Sequence, residues 1–194
     1  MKNIRLIMLL PLALVLSGCG GASARAEFES FSKALADEDA LTFTARVRAE
    51  YDETTAEFTL DYAEDENGAR VTVVSPEIIR GVSARVSAGQ TALEYDGVSL
   101  ETGAAEEMEL SPMSALPRLV AALRTGYLDT AWTEDDTLCA LIVPEDDVSV
   151  QVRLDKHTKT PLNAELASNG RVRVFAEISD WSPTGRLIEG TLND

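Results

Sequence analysis

The chain has 194 residues, 45% of them apolar and 26% charged, and a formal net charge of −16. This composition suits one globular domain with a sizeable core. So acidic a body excludes nucleic-acid binding, which calls for a basic surface, and it would be repelled by an anionic bilayer.

The first residues form a three-part leader. Lys2 and Arg5 give a positive start, Ile4 and Leu6 to Leu16 form an apolar run broken only by Pro11, and Ser17-Gly18-Cys19 follows. The run falls short of the roughly 20 residues of a membrane span, and the pattern is that of a signal peptide. Leu16-Ser17-Gly18-Cys19 resembles the lipobox of a bacterial lipoprotein signal. The resemblance implies removal of residues 1–18, a diacylglycerol thioether on Cys19, and frequent acylation of the new N-terminus. Cys19 would then anchor the protein in the cell membrane on its extracytoplasmic face. The alternative is a secreted protein cleaved near Ala24 or Ala26. Removal of Lys2 and Arg5 leaves the mature form more acidic still. With Cys19 lipidated, Cys139 has no partner in the chain, and its apolar surroundings, Leu138 to Val143, predict a buried, inert thiol.

Small, polar residues 19–26 read as a short lipidated tether that keeps the body close to the bilayer. From Glu27 the spacing of Phe28, Phe31 and Leu35 predicts a helix. The period then changes to two. Leu41, Phe43, Ala45, Val47, Ala49 and Tyr51 alternate with polar residues, as do Ala56, Phe58, Leu60 and Tyr62, predicting two half-buried strands. Glu66-Asn67-Gly68 turns into a third strand, Ala69 to Val74, which Ser75-Pro76 ends. Ile78 to Ser87 reads as a strand interrupted at Gly81, and Thr91 to Tyr95 and Val98 to Glu101 as a hairpin about Asp96-Gly97. Pro112 opens a second helix carrying Met113, Leu116, Leu119, Val120 and Leu123, with Gly126 as its C-cap. Strand patterns follow at Ala131-Trp132, Leu138 to Val143, Val148 to Leu154, Leu162 to Leu166 and Val172 to Ile178. Residues 182–194 read as a frayed tail.

The order is thus helix, about six strands, helix, about five strands, almost all joined by short connections. The expected fold is α+β: a single curved antiparallel sheet of about 10–11 strands, an open half-barrel over residues 27–181, wrapped over two helices. This arrangement resembles the LolA and LolB superfamily of lipoprotein carriers. The lipid-carrier lipoproteins of the LppX and LprG type and the spore-germination lipoprotein GerS share that architecture. The stretches that prompt the resemblance are Leu41 to Glu50 after an amphipathic helix, Val74-Ser75-Pro76-Glu77-Ile78-Ile79, Tyr95-Asp96-Gly97-Val98 and the hairpin Leu154 to Leu162. The resemblance implies a hydrophobic concavity that shelters a lipid or an acylated molecule. Its candidate lining is Phe43, Val47, Phe58, Leu60, Leu93, Tyr95, Leu116, Leu119, Val150 and Leu166. The same residues packing on one another is the plainer alternative.

Catalytic chemistry is hard to place. The one histidine, His157, sits in a predicted turn with neither a metal-ligand set nor a triad around it in the sequence. The carboxylate runs Glu64-Asp65-Glu66, Glu106-Glu107 and Glu134-Asp135-Asp136 fall at predicted loops, where charge is simply solvated. No cofactor or metal is expected. The leading reading is a non-enzymatic, anchored lipoprotein binding a lipid. The second is a ligand-free scaffold that docks and activates a cell-envelope enzyme, and the weakest is a hydrolase. A carrier requires a large apolar pocket with an open mouth; a scaffold requires a filled interior and an exposed apolar patch or sheet edge.

Overall fold

The computed structural model describes residues 20–51, 54–87, 89–104, 110–143 and 148–183. Helix α1 spans Gly20–Ala36 and helix α2 Pro112–Thr125. The strands are β1 (Leu41–Glu50), β2 (Thr55–Asp65), β3 (Gly68–Ser75), β4 (Ser83–Ser87), β5 (Gln90–Tyr95) and β6 (Val98–Ala104), then β7 (Tyr127–Glu134), β8 (Thr137–Val143), β9 (Val148–Asp155), β10 (Pro161–Ser168) and β11 (Arg171–Pro183). They form one 11-stranded antiparallel sheet in the order β6-β5-β4-β3-β2-β1-β11-β10-β9-β8-β7. Two meanders, β1–β6 and β7–β11, therefore meet where β1 pairs β11, and the chain passes from the β6 edge to the β7 edge through α2. This is the single antiparallel sheet with two helices that the alternation predicts, in the open half-barrel form that the resemblance implies.

Pairing register follows the hydrophobic pattern. Leu41, Phe43, Ala45, Val47 and Ala49 are all buried on one face of β1, opposite Tyr62, Leu60, Val174 and Ala176 of the flanking strands. Asp96-Gly97 and Asn169-Gly170 have positive φ at both positions, the tight-turn geometry that matches strand twist. Ser111 caps α2 by accepting from the Ser114 amide while the Ser114 hydroxyl accepts from the Ser111 amide, and Pro112 occupies the first turn, where its missing N–H costs nothing. Gly126 is the C-cap, for a steric reason: a Cβ there would lie 2.3 Å from Ile142 Cγ2 and 2.6 Å from the Ala122 carbonyl.

Three expectations need correction. Residues 20–26 are no slack tether: α1 begins at Gly20, with Ala24, Phe28 and Leu35 buried along one stripe. Alanine-rich sequence is helix-forming, and Arg25 fixes the first turns by donating from Nη2 to the carbonyls of Leu128 (3.2 Å) and Asp129 (2.6 Å). Ile78 to Ser87 is not one strand. After Ser75 and the cis Pro76 the chain makes a 3₁₀ turn at Glu77–Ile79, and β4 begins only at Ser83. The strand after the Asn169-Gly170 turn continues to Pro183, which pairs with Leu41, so residues 182 and 183 belong to the sheet. Cys19, the leader and residues 184–194 lie outside the described residues.

Candidate interaction site

The inner face of the sheet can be followed along one cross-strand row. Phe43 pairs Tyr62, Tyr62 pairs Val71, Val71 pairs Ala84, Ala84 pairs Leu93 and Leu93 pairs Leu100. Because directly paired residues share a face, all six side chains point to the concave side. The first four are buried, Leu93 is half-buried, and Leu100 is 64% exposed. One pair further along the same face, Tyr95 and Val98 are 55% and 70% exposed. The core therefore ends between β4 and β6, and an apolar strip of Tyr95, Val98 and Leu100 continues past it.

Elsewhere, among the described residues, the concave face is closely packed. Val47, Leu60, Leu116, Leu119, Val150 and Leu166 have no exposed surface, and Phe43 has almost none. A side chain lining a void large enough for water would retain some. α2 contributes Leu116, Leu119, Val120 and Leu123 to this core, α1 contributes Ala24, Phe28 and Leu35, and Phe58 packs against it half-buried. Phe43 stacks on Tyr62 at 4.7 Å between ring centroids and meets Trp181 at 5.1 Å. Of the ten candidate lining residues, the structure brings eight into this core. Leu93 lies at its margin. Tyr95 departs from expectation: it is on the concave face, but at the β5–β6 hairpin, where no helix covers it.

Ile78, Val98 and Leu100 are the apolar side chains that the sequence reading did not single out as a surface. Val98 and Leu100 alternate with Ser99 and Glu101 just as buried strands alternate, so period alone could not show that β6 is an edge. Ile78, 88% exposed, sits in the β3–β4 connection. In an antiparallel meander alternate connections share one end, so Tyr51 after β1, Ile78, and the Tyr95–Val98 hairpin crown the same end of β1–β6. The opposite end differs. Asp65, Glu66, Asn67, Gly68, Arg85 and Ser87 line an open polar recess of about 550 Å³, the wrong chemistry for an acyl chain.

Several of the remaining polar groups are occupied with structure, whereas the Thr91 hydroxyl on β5 is buried without a hydrogen-bond partner. Arg124 Nη1 lies 2.8 Å from both oxygens of Glu64, and the same guanidinium donates to the carbonyls of Leu35 and Glu38, tying both helices to β2. Burial pushes the Tyr62 hydroxyl pKa far up, so it stays neutral and donates to Glu64. Arg70 bridges Glu94 at 2.7 Å on the outer face. Cys139 is buried, and burial pushes its thiol pKa up, as an inert cysteine requires. His157 is exposed in the β9–β10 turn, its Nε2 3.8 Å from Asp136 and its backbone amide donating to Asp155 Oδ1 at 2.9 Å. Among the described residues no group of three or more His, Cys, Asp or Glu is placed to hold a metal, and no helix is long and apolar enough to cross a membrane.

No family model and no curated protein matches the sequence. The chain is similar in structure to a LolA superfamily protein of Nitrosomonas europaea, at 13% identity over 82% of this chain and 93% of that one, with a TM-score of 0.49. It is similar to a chain in the structure of the CwlD amidase of Clostridioides difficile in complex with the GerS lipoprotein, at 13% identity over 81% and 94% with a TM-score of 0.44. It is also similar to the lipoprotein LppX of Mycobacterium tuberculosis, at 13% identity over 82% and 95% with a TM-score of 0.41. These likenesses concern fold alone.

Proposed function

We propose that this chain is a membrane-anchored, extracytoplasmic lipoprotein-type module that docks a cell-envelope protein on the uncovered inner face of β5 and β6. One observation carries this reading. Along a single row of paired residues, burial falls from complete at Val71 to 64% exposure at Leu100. An apolar strip bearing a tyrosine, continuous with the core and left to solvent, is the composition of a protein contact. The close packing of the concave face among the described residues favours docking over the enclosure of a free lipid.

A photo-crosslinking side chain at position 95, activated in intact membranes, tests the proposal. A discrete protein adduct that is lost in Leu100→Lys supports docking. A lipid adduct supports the carrier instead, and no adduct at all overturns both.

The carrier reading retains one observation in its favour. Leu93 on β5 and Leu110 and Met113 at the start of α2 are only half-buried, which leaves apolar surface at the margin of the core. An acyl chain lying there would co-purify in stoichiometric amount and raise stability when added back.

A further inference from the structure

We propose that the free edge of β6 accepts an extended segment of the docked protein, one in which apolar residues alternate with basic ones, as a twelfth strand. This rests on the docking reading and specifies its chemistry.

The sheet has two edges and they are treated differently. The β7 edge is engaged from α1, where Arg25 takes the carbonyls of Leu128 and Asp129. The β6 edge receives no such contact among the described residues, and Val98 to Gly103 are all exposed. An open edge offers unpaired amides and carbonyls that template a further strand, and proteins blunt such edges with lysine, proline or a covering segment. Here the inner positions carry Val98 and Leu100 and the outer ones Ser99 and Glu101. An added strand would thus need apolar side chains on its inner face, against Val98, Leu100 and Tyr95.

The charge of the outer face fixes the other half of the pattern. Strands β5 and β6 and the turn between them carry no Lys, Arg or His, and their charged residues are Glu94, Asp96 and Glu101. Glu94 is paired with Arg70 at 2.7 Å, and Arg85 on β4 stands in the same outer row as Glu101 with Ala92 between them, so Asp96 and Glu101 at the edge have no cation on β5 or β6 beside them. Basic residues on the outer face of the incoming strand would complement it, and acidic ones would be repelled. Strand addition gives affinity through the backbone and specificity through alternate side chains.

The test uses the full-length protein in nanodiscs of neutral lipid and a capped nonapeptide that alternates valine and lysine. Expected are hydrogen-exchange protection confined to residues 98–104 and binding at least tenfold weaker for three controls. These are the peptide N-methylated at every second amide, the peptide with glutamate for lysine, and the Leu100→Lys protein; Val98→Lys serves as a second variant. Equal binding of the N-methylated peptide, protection on β7 instead, or a β6-mediated homodimer in place of the peptide complex would each overturn the inference. A protein adduct from position 95 without protection at β6 would sink strand addition and leave docking standing. Absence of both removes both.

Discussion

Leu93 and Leu100 face each other across β5 and β6 on the concave side, one half-buried and the other 64% exposed, so the limit of the core runs between two paired side chains. Stability should register that limit. Leu60→Ala, in the filled part, is expected to cost about 2–5 kcal/mol, because removed methylenes leave a cavity that close packing does not heal. Leu100→Ala is expected to stay within about 0.5 kcal/mol of the parent, since little packing is lost. Urea unfolding of the two variants measures the contrast, and equal losses would mean that β6 is covered in solution.

Arg124 holds three elements at once, through Glu64 on β2 and the carbonyls of Leu35 and Glu38 at the end of α1. Its side chain and that of Glu64 are about four-fifths buried. Removing one partner strands the other charge, which in full burial costs about 3–5 kcal/mol and here, with partial solvation, about 2–3. Arg124→Ala should lower the urea midpoint accordingly. Arg124→Lys should recover little, because a point charge cannot reach four acceptors from one plane.

How far the fold could be read in advance depends on which forces were local. The strand order follows from period-two alternation and from Asp96-Gly97 and Asn169-Gly170, whose positive φ only a few residue types accept. The start of α2 was legible in Pro112, and its end in Gly126. The start of α1 was not, because Gly20 to Ala26 is small and polar whether it forms a linker or a helix. What decides is Arg25 finding carbonyls more than a hundred residues away. The site was half legible for the same reason. Alternation shows that Tyr95, Val98 and Leu100 lie on one face, but only the path of α2 leaves that face bare. Ile78 reads as a strand residue because Val82, Ala84 and Val86 continue an even-numbered apolar pattern, whereas the chain makes a 3₁₀ turn at Glu77–Ile79 before β4.

Acid should loosen the contact between α1 and the β9–β10 hairpin. Lys159 Nζ lies 2.5 Å from Glu27 Oε2, and this hydrogen bond, with the ammonium charge, holds the Glu27 carboxyl below its ordinary pKa. A carboxylate whose pKa is lower folded than unfolded binds fewer protons in the native state, so its contribution is complete above its unfolded value and is lost as pH falls through the folded one. Asp155 acts in the same direction, its carboxyl held low chiefly by the Thr158 amide and hydroxyl. Stability is therefore expected to fall as pH drops below about 4, the ordinary carboxylate range. Glu27→Gln should flatten that part of the profile of urea midpoint against pH, and an unchanged slope would place the acid sensitivity elsewhere.

The anchor and the first helix should separate experimentally. If Cys19 carries two or three acyl chains, each buried methylene contributing about 0.8 kcal/mol, attachment owes nothing to the acidic surface of the body. Cys19→Ser is expected to move the protein from the membrane to the soluble fraction with an unchanged urea midpoint. Arg25→Ala should do the reverse. It removes the hydrogen bonds to Leu128 and Asp129, so it should lower the midpoint by about 1–2 kcal/mol while leaving the protein in the membrane. With α1 beginning one residue after Cys19, a flexible insertion after Gly20 should leave both fraction and midpoint unchanged and alter only the depth at which a position 95 label meets lipid-borne quenchers. Constant quenching across such insertions would show that the helix does not set how the body stands on the bilayer.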